Sequence, residues 1–158
     1  MWPHYKAMSD IRYVYLTSAD TTNPGIGSAL GNAVFTNSFE FPLQFRDGQY
    51  EVALLSITAH ISTSFDPATA GSVFVYSDFS DGSVVLGSQQ VNLLRRIYFD
   101  SVGRSEQTFE QLIYVPIGAK SFSRATVELR DGTGTPIPID ANQGTTVTLA
   151  IRRKIYVV

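Results

Sequence analysis

The feature that most constrains this chain is a hydrophobic period of two. Between Ser38 and Arg46, Phe39, Phe41, Leu43 and Phe45 fall on one side, and Ser38, Glu40, Gln44 and Arg46 on the other. Successive side chains of a strand point to opposite faces, so this pattern predicts a strand with its phenylalanines turned into a core. Pro42 sits on the polar side and has no N–H, which places this strand at a sheet edge or at a bulge. Asp47-Gly48 follows, a dipeptide that between two alternating runs signals a hairpin.

The alternation recurs along the chain. From Tyr50 to Ile61 the predicted inward set is Ala53, Leu55, Ile57, Ala59 and Ile61. Tyr50, Val52 and Leu54 make the other phase apolar at its start, so that end is expected to be covered on both faces. Further strands are predicted over 11–17, 73–77, 84–99 with a break near 87–90, and 109–116. The last two carry Ala125, Val127 and Leu129, then Val147, Leu149 and Ile151. One helical turn is an alternative for 105–112. Asp131-Gly132-Thr133-Gly134 reads as a turn. No segment sustains a period of 3.6. About eight strands result, and the expected fold is all-β, a single eight-stranded antiparallel jelly-roll sandwich.

The 158 residues suit one domain, and a chain this long buries roughly two-thirds of its unfolded surface. The expected organisation is an N-terminal arm over 1–10 and one domain over 11–158. Residues 18–32, with Asn23-Pro24-Gly25, form a long polar loop, a class that tends to be functional. There is no cysteine, so disulfide and thiolate chemistry are excluded. A net charge of −2 gives no footprint for a phosphate backbone, so nucleic-acid contact is expected to be non-specific at most. Charged residues make up only 16% of the chain, while one Trp, eight Tyr and ten Phe enrich it in the groups that interfaces use. No apolar run is long enough to span a bilayer, and Met1 to Lys6 does not open a secretory signal.

Catalytic constellations are sparse. His4 and His60 are the two histidines, too few for a histidine-rich metal site, and no Gly-x-Ser-x-Gly elbow is present. His60 reads as an ordinary strand residue on a polar face. Asp78 and Asp81 carry oxygens of the kind calcium takes, but their Ser/Gly setting reads as a turn. Gly25-Ile26-Gly27 follows no βαβ unit and is loop glycine. Arg95-Arg96 and Arg152-Arg153-Lys154 read as solvated or interfacial ends of predicted strands; the alternative is that they neutralise acidic neighbours or an interior surface facing nucleic acid. No enzyme activity and no cofactor are expected.

Six motifs occur in order: Tyr50-Glu51-Val52-Ala53-Leu54 after the phenylalanine-rich strand, Val75-Tyr76-Ser77-Asp78, Leu93-Leu94-Arg95-Arg96, Tyr114-Val115-Pro116, Val127 to Pro138, and Val147 to Arg153. In this order and spacing the chain, from about residue 39 to 153, resembles the minor capsid (penton) proteins of polinton-like viruses, virophages and adintoviruses. Tyr50 stands where that family often has Trp, and the chain has no room for an added spike domain. The resemblance implies a single jelly roll in a double-stranded DNA virus. It would form a homopentamer at icosahedral vertices of the virion, beside trimers of a double jelly-roll major capsid protein. Trp2, Tyr5, Arg152 and Arg153 are the candidate assembly contacts, and Thr58, Thr126 and Thr148 are outward residues for contact surfaces. A jelly-roll module that binds carbohydrate or a receptor is the alternative. Exposed Trp or Tyr platforms would favour it.

Overall fold

The computed structural model describes residues 11–19, 32–45, 48–67 and 71–154. The predicted arm over 1–10, most of the loop over 18–32, and Asp47 lie outside these residues.

Eleven strands are found among the described residues, against the eight expected. They are β1 (Arg12–Thr17), β2 (Val34–Gln44), β3 (Tyr50–Ile61), β4 (Val73–Ser77), β5 (Val84–Leu86), β6 (Gln89–Val91), β7 (Leu93–Ile97), β8 (Gly103–Thr108), β9 (Val115–Pro116), β10 (Ser121–Arg130) and β11 (Thr146–Arg153). The protein is all-β, and every pairing between strands is antiparallel. One sheet runs β1-β11-β3-β8, with β9 beside the start of β3; the other runs β2-β10-β4-β7. β5 and β6 form a separate ribbon. The predicted run over 84–99 is thus three strands, with the expected break at a turn through Gly87.

One hydrophobic core is shared by the two sheets. Val52, Leu54, Ile57, Ala59 and Ile61 of β3 and Val147, Leu149 and Ile151 of β11 enter it from one sheet; Val73, Val75, Ala125, Val127 and Leu129 enter it from the other. The phases expected for β10 and β11 are the ones observed. The phase expected for β3 is half right. Ser56 pairs with Thr148 and Leu54 with Leu149, so Leu55 is an extra residue with no partner on β11, while its carbonyl accepts the Phe109 N–H at 2.9 Å on the other side. This β-bulge inverts the alternation midway. Val52 and Leu54 therefore point inward before it, Ile57, Ala59 and Ile61 after it, and Leu55 is half-buried outside the core.

Three other expectations are corrected. β2 and β3 lie in different sheets, so the turn beside Gly48 is a crossover between sheets rather than a hairpin. Phe41 is 75% exposed. Residues 39–42 of β2 oppose the single residue 123 of β10, and Phe41 rides on this wide irregularity. Pro42 lies in it, on an edge strand, as its missing N–H requires. Finally, the strand expected over 109–116 shrinks to β9, and the preceding segment, admitted as helical, is the polar edge strand β8.

Buried polar groups close the ends of the sandwich. The Asn37 side chain accepts the Thr17 N–H at 2.8 Å and donates to the Thr17 carbonyl at 2.9 Å, standing in for a neighbouring strand. Ser18, Asn32 and Thr145 are fully buried and satisfy one another: the Ser18 hydroxyl donates to Asn32 Oδ1, the Thr145 N–H donates to Ser18 Oγ, and the Thr145 hydroxyl donates to the Asn32 carbonyl. The turn after β10 forms as expected. Asp131 Oδ1 accepts the Thr133 hydroxyl at 2.6 Å and the N–H groups of Thr133 and Thr135. These bonds, the Thr133 hydroxyl foremost, hold its carboxyl below the ordinary range.

Two stability outcomes follow. Ile57→Asp is expected to abolish a cooperative melt, since an unpaired buried carboxylate costs several kcal/mol, whereas Leu55→Asp is expected to keep one. Equal melts would place the bulge elsewhere. Asn37→Leu leaves both Thr17 backbone groups without partners and is expected to cost about 1–3 kcal/mol in urea unfolding.

Candidate functional site

Six elements converge at one end of the sandwich: the end of β2, the starts of β3 and β10, the turn after β4, β9, and the end of β11. Four aromatic rings fill it. Phe45 meets Tyr50 at 5.2 Å and Phe122 at 6.0 Å between centroids, and Phe122 meets Phe79 at 4.5 Å. The tilted and edge-on geometries are the favourable ones for aromatic quadrupoles. Beside this cluster lies an open cleft of about 390 Å³, bordered by Gly48, Glu51, Asp81, Gly118, Lys120 and Lys154. Gly48 has φ 138°, and a Cβ there would lie 2.6 Å from Arg153 Nε. The positive φ is what favours glycine here, since the exposed arginine side chain could move aside for a Cβ.

The structure separates the four predicted assembly residues. Trp2 and Tyr5 lie outside the described residues. Arg152 faces Glu51 across the β11–β3 ladder, and its Nε donates to Glu51 Oε1 at 2.6 Å. Its guanidinium also lies 3.6 Å from the centroid of the Tyr114 ring. Arg152 therefore ties β11 to β3 through an ion pair, and to Tyr114, just before β9, through a cation–π contact. Arg153 is exposed and packs over Gly48 at the cleft rim. The other basic pair behaves similarly. Arg95 lies 3.9 Å from the Phe109 ring centroid and donates to the Gln111 carbonyl at 2.8 Å, while Arg96 lies 5.4 Å from the Tyr98 ring centroid. Most of these arginines act as staples within the chain.

Asp78 and Asp81 serve local structure. Asp78 Oδ1 accepts the Thr126 N–H at 2.9 Å, and Asp81 Oδ1 accepts the Ser83 N–H at 2.9 Å. Among the described residues no three His, Cys, Asp or Glu side chains gather as metal ligands would. His60 sits on the outer face of its sheet opposite Arg104. Thr58 and Thr126 are half-buried, and Thr126 bonds Thr36 through their hydroxyls at 2.7 Å. Thr148, expected to be outward and available, is 7% exposed. It lies on the outer face, paired with Tyr15 on one side and Ser56 on the other.

What composition and periodicity missed is where the apolar surface lies. Ile11, Tyr13 and Tyr15 are exposed at the β1 edge, and Phe41 is exposed on β2. These two strands flank the same side, joined by the Asn37–Thr17 bonds and by an Arg12 hydrogen bond to the Gln44 carbonyl. On the opposite side, Tyr98 and Val102 are exposed where β7 passes into β8. A signal for the first side exists in the sequence. Tyr13-Val14-Tyr15-Leu16 is apolar in both phases, so one phase has to face outward.

No family model matches this chain, and no curated protein matches it. Among the described residues no helix is long and apolar enough to cross a membrane.

A pH dependence follows from Asp78. Burial raises its carboxyl pKa above the ordinary 3.8, against the opposing hydrogen bond from Thr126. The native state therefore holds this proton more tightly than the unfolded chain. Its contribution is most favourable at low pH and declines as pH rises through the raised value. Asp78→Asn keeps an acceptor for Thr126 and removes the charge. The variant is expected to melt above the wild type at pH 7 and level with it near pH 3, as thermal scans at the two pH values would reveal.

Proposed function

We propose that this chain is a single jelly roll that serves as a structural capsid subunit, the penton of a double-stranded DNA virus. The observation that carries the reading is strand order. Numbering the eight strands of five or more residues from one to eight, one sheet runs 1-8-3-6 and the other 2-7-4-5. First pairs with eighth, second with seventh, third with sixth and fourth with fifth. That nesting is what a long four-rung hairpin makes when rolled into two facing sheets, the double Greek key of a jelly roll. The β5–β6 ribbon and β9 are insertions into that scheme.

The distribution of surface groups supports the assembly role. The two flanks, β1 with β2 and β7 with β8, are chemically different, and each exposes apolar side chains. Unlike flanks that meet head to tail make a heterologous contact, and such contacts close into a ring when the rotation divides the circle. The resemblance of the ordered motifs to those of penton proteins supports a homopentamer at a vertex, with trimers of the major capsid protein around it. In this reading the subunit works through shape and contact, without catalysis or a cofactor, and any nucleic-acid contact is non-specific. A second reading has one observation in its favour. Tyr13 and Tyr15 are 52% and 69% exposed side by side on an outer sheet face, the kind of platform a carbohydrate- or receptor-binding module uses.

Light scattering across concentration and salt tests the first reading. Five copies of a 17.4 kDa chain are expected to give a species of about 87 kDa. A trimer or a strict monomer at all concentrations would overturn it, and glycan-array binding lost on Tyr15→Ala would favour the second.

A further inference from the structure

Apart from the two-residue β9 and the β5–β6 ribbon, the two large sheets present four long edge strands among the described residues, β1 and β8 in one and β2 and β7 in the other. Three are blunted against strand addition. β2 is interrupted at 39–42 and carries Pro42 there. β7 has five residues, two of them arginines, and a register break against β4. β8 has an outward Arg104–Glu106 ion pair at 2.6 Å. β1 is different. It pairs with β11 over six consecutive residues without a break, and it has no charge from Tyr13 to Leu16.

The backbone groups on the free side of β1 can be assigned by parity. In an antiparallel pair, alternate residues direct both N–H and C=O toward the neighbour, and those between direct both away. The N–H and C=O of Thr17 go to the Asn37 side chain, off the edge, while the Ser18 N–H reaches the Thr145 carbonyl on the β11 side. Tyr13 and Tyr15 share the parity of Thr17. Their N–H and C=O groups therefore leave the edge toward solvent, about 7 Å apart along the strand. Asn37 satisfies the same need at Thr17; among the described residues nothing does so at Tyr13 and Tyr15.

We propose that the β1 edge is a strand-addition site that takes an extended segment of a different polypeptide chain. Two donors and two acceptors at strand spacing are matched by a peptide backbone. The exposed Tyr13 and Tyr15 rings flank one face of the added strand and half-buried Val14 the other. The matching segment therefore carries uncharged, β-branched or aromatic residues over about four positions. Asn37 fills the edge at Thr17, so the incoming strand has to turn away there. A free segment can do so. A second copy's β1, held in its own sheet and paired about Val14, would bring its Ile11 against Asn37. This inference stands apart from the ring reading, in which a neighbouring copy's β7–β8 flank would approach the same side, and its test reads out strand capture separately from subunit mass.

The test is selection of a displayed library of random twelve-residue peptides on the full chain. Binding of selected peptides is then compared on wild type and Tyr15→Pro. The N–H lost in that variant faces off the edge, where proline is tolerated. Enriched peptides are expected to bind Tyr15→Pro at least tenfold more weakly than wild type. They are also expected to slow amide exchange at Tyr13 and Tyr15 at least tenfold and to leave Val14 and Leu16 unchanged. Tyr15→Pro is expected to melt with the wild type, and Val14→Pro below it. Failure of enrichment, or equal binding to Tyr15→Pro, would overturn the proposal. Amides of Tyr13 and Tyr15 already protected in the free protein would do the same, whatever the proline variant's stability. A wild-type dimer that dissociates on Tyr15→Pro would make a second copy the occupant and overturn it too.

Discussion

The bulge at Leu55, where β3 carries one residue more than β11, is the constraint on which the rest of the structure depends. β3 and β11 are the inner strands of one sheet, and each has to present an apolar face to the same core. β11 does so with a plain alternation. β3 cannot, because Val52 and Leu54 fall in one phase and Ile57, Ala59 and Ile61 in the other. One extra residue between them brings both sets inward. Without it, half of the strand would turn its core side chains to solvent, since a slip of one residue exchanges the faces.

The two ends of the sandwich are closed by different physics. At one end, buried Ser18, Asn32 and Thr145 satisfy one another's donors and acceptors, so polar groups can be enclosed without leaving any unpaired. At the other, four aromatic rings pack in tilted contacts and the nearby arginines stack or bridge locally. Charge is thereby spent within the subunit. Arg152 is held by Glu51 and Tyr114, and Arg95 by Phe109 and a carbonyl. These contacts leave the flanks, with their exposed rings and their unequal edges, as the surfaces on which the proposed assembly role would rest. The four edges are treated differently by the chain itself. Three of the long edge strands carry devices that discourage pairing, and the fourth keeps a regular ladder whose outward backbone groups at Tyr13 and Tyr15 have no partner among the described residues.

Legibility in the sequence follows the same lines. β10 and β11 could be read residue by residue, because each keeps one phase throughout and its apolar face is covered. β8 could not. It is an edge strand of polar residues whose pairing with β3 is the main reason it is extended. Phe41 belongs to a visible alternation yet faces solvent, because the insertion at 39–42 breaks the phase that the pattern assumes. Of the predicted contact residues, Arg152 turned out to be a staple and Arg153 a rim residue packed on Gly48. A run of basic residues does not disclose which of its members faces an acid across the sheet.

By itself the sequence determined that this protein is all-β, which residues of its regular strands form the core, and where most of its turns fall. Those properties come from local period and turn chemistry, which act within a few residues. Only the tertiary structure decided which strands are neighbours, that β2 and β3 part into separate sheets, where the bulge corrects the phase, and which edge stays open. Each of these depends on partners far apart in the chain, such as Asn37 with Thr17 or Leu54 with Leu149. A period of two specifies that a residue faces one side of a sheet; what lies on that side is set by the other strands.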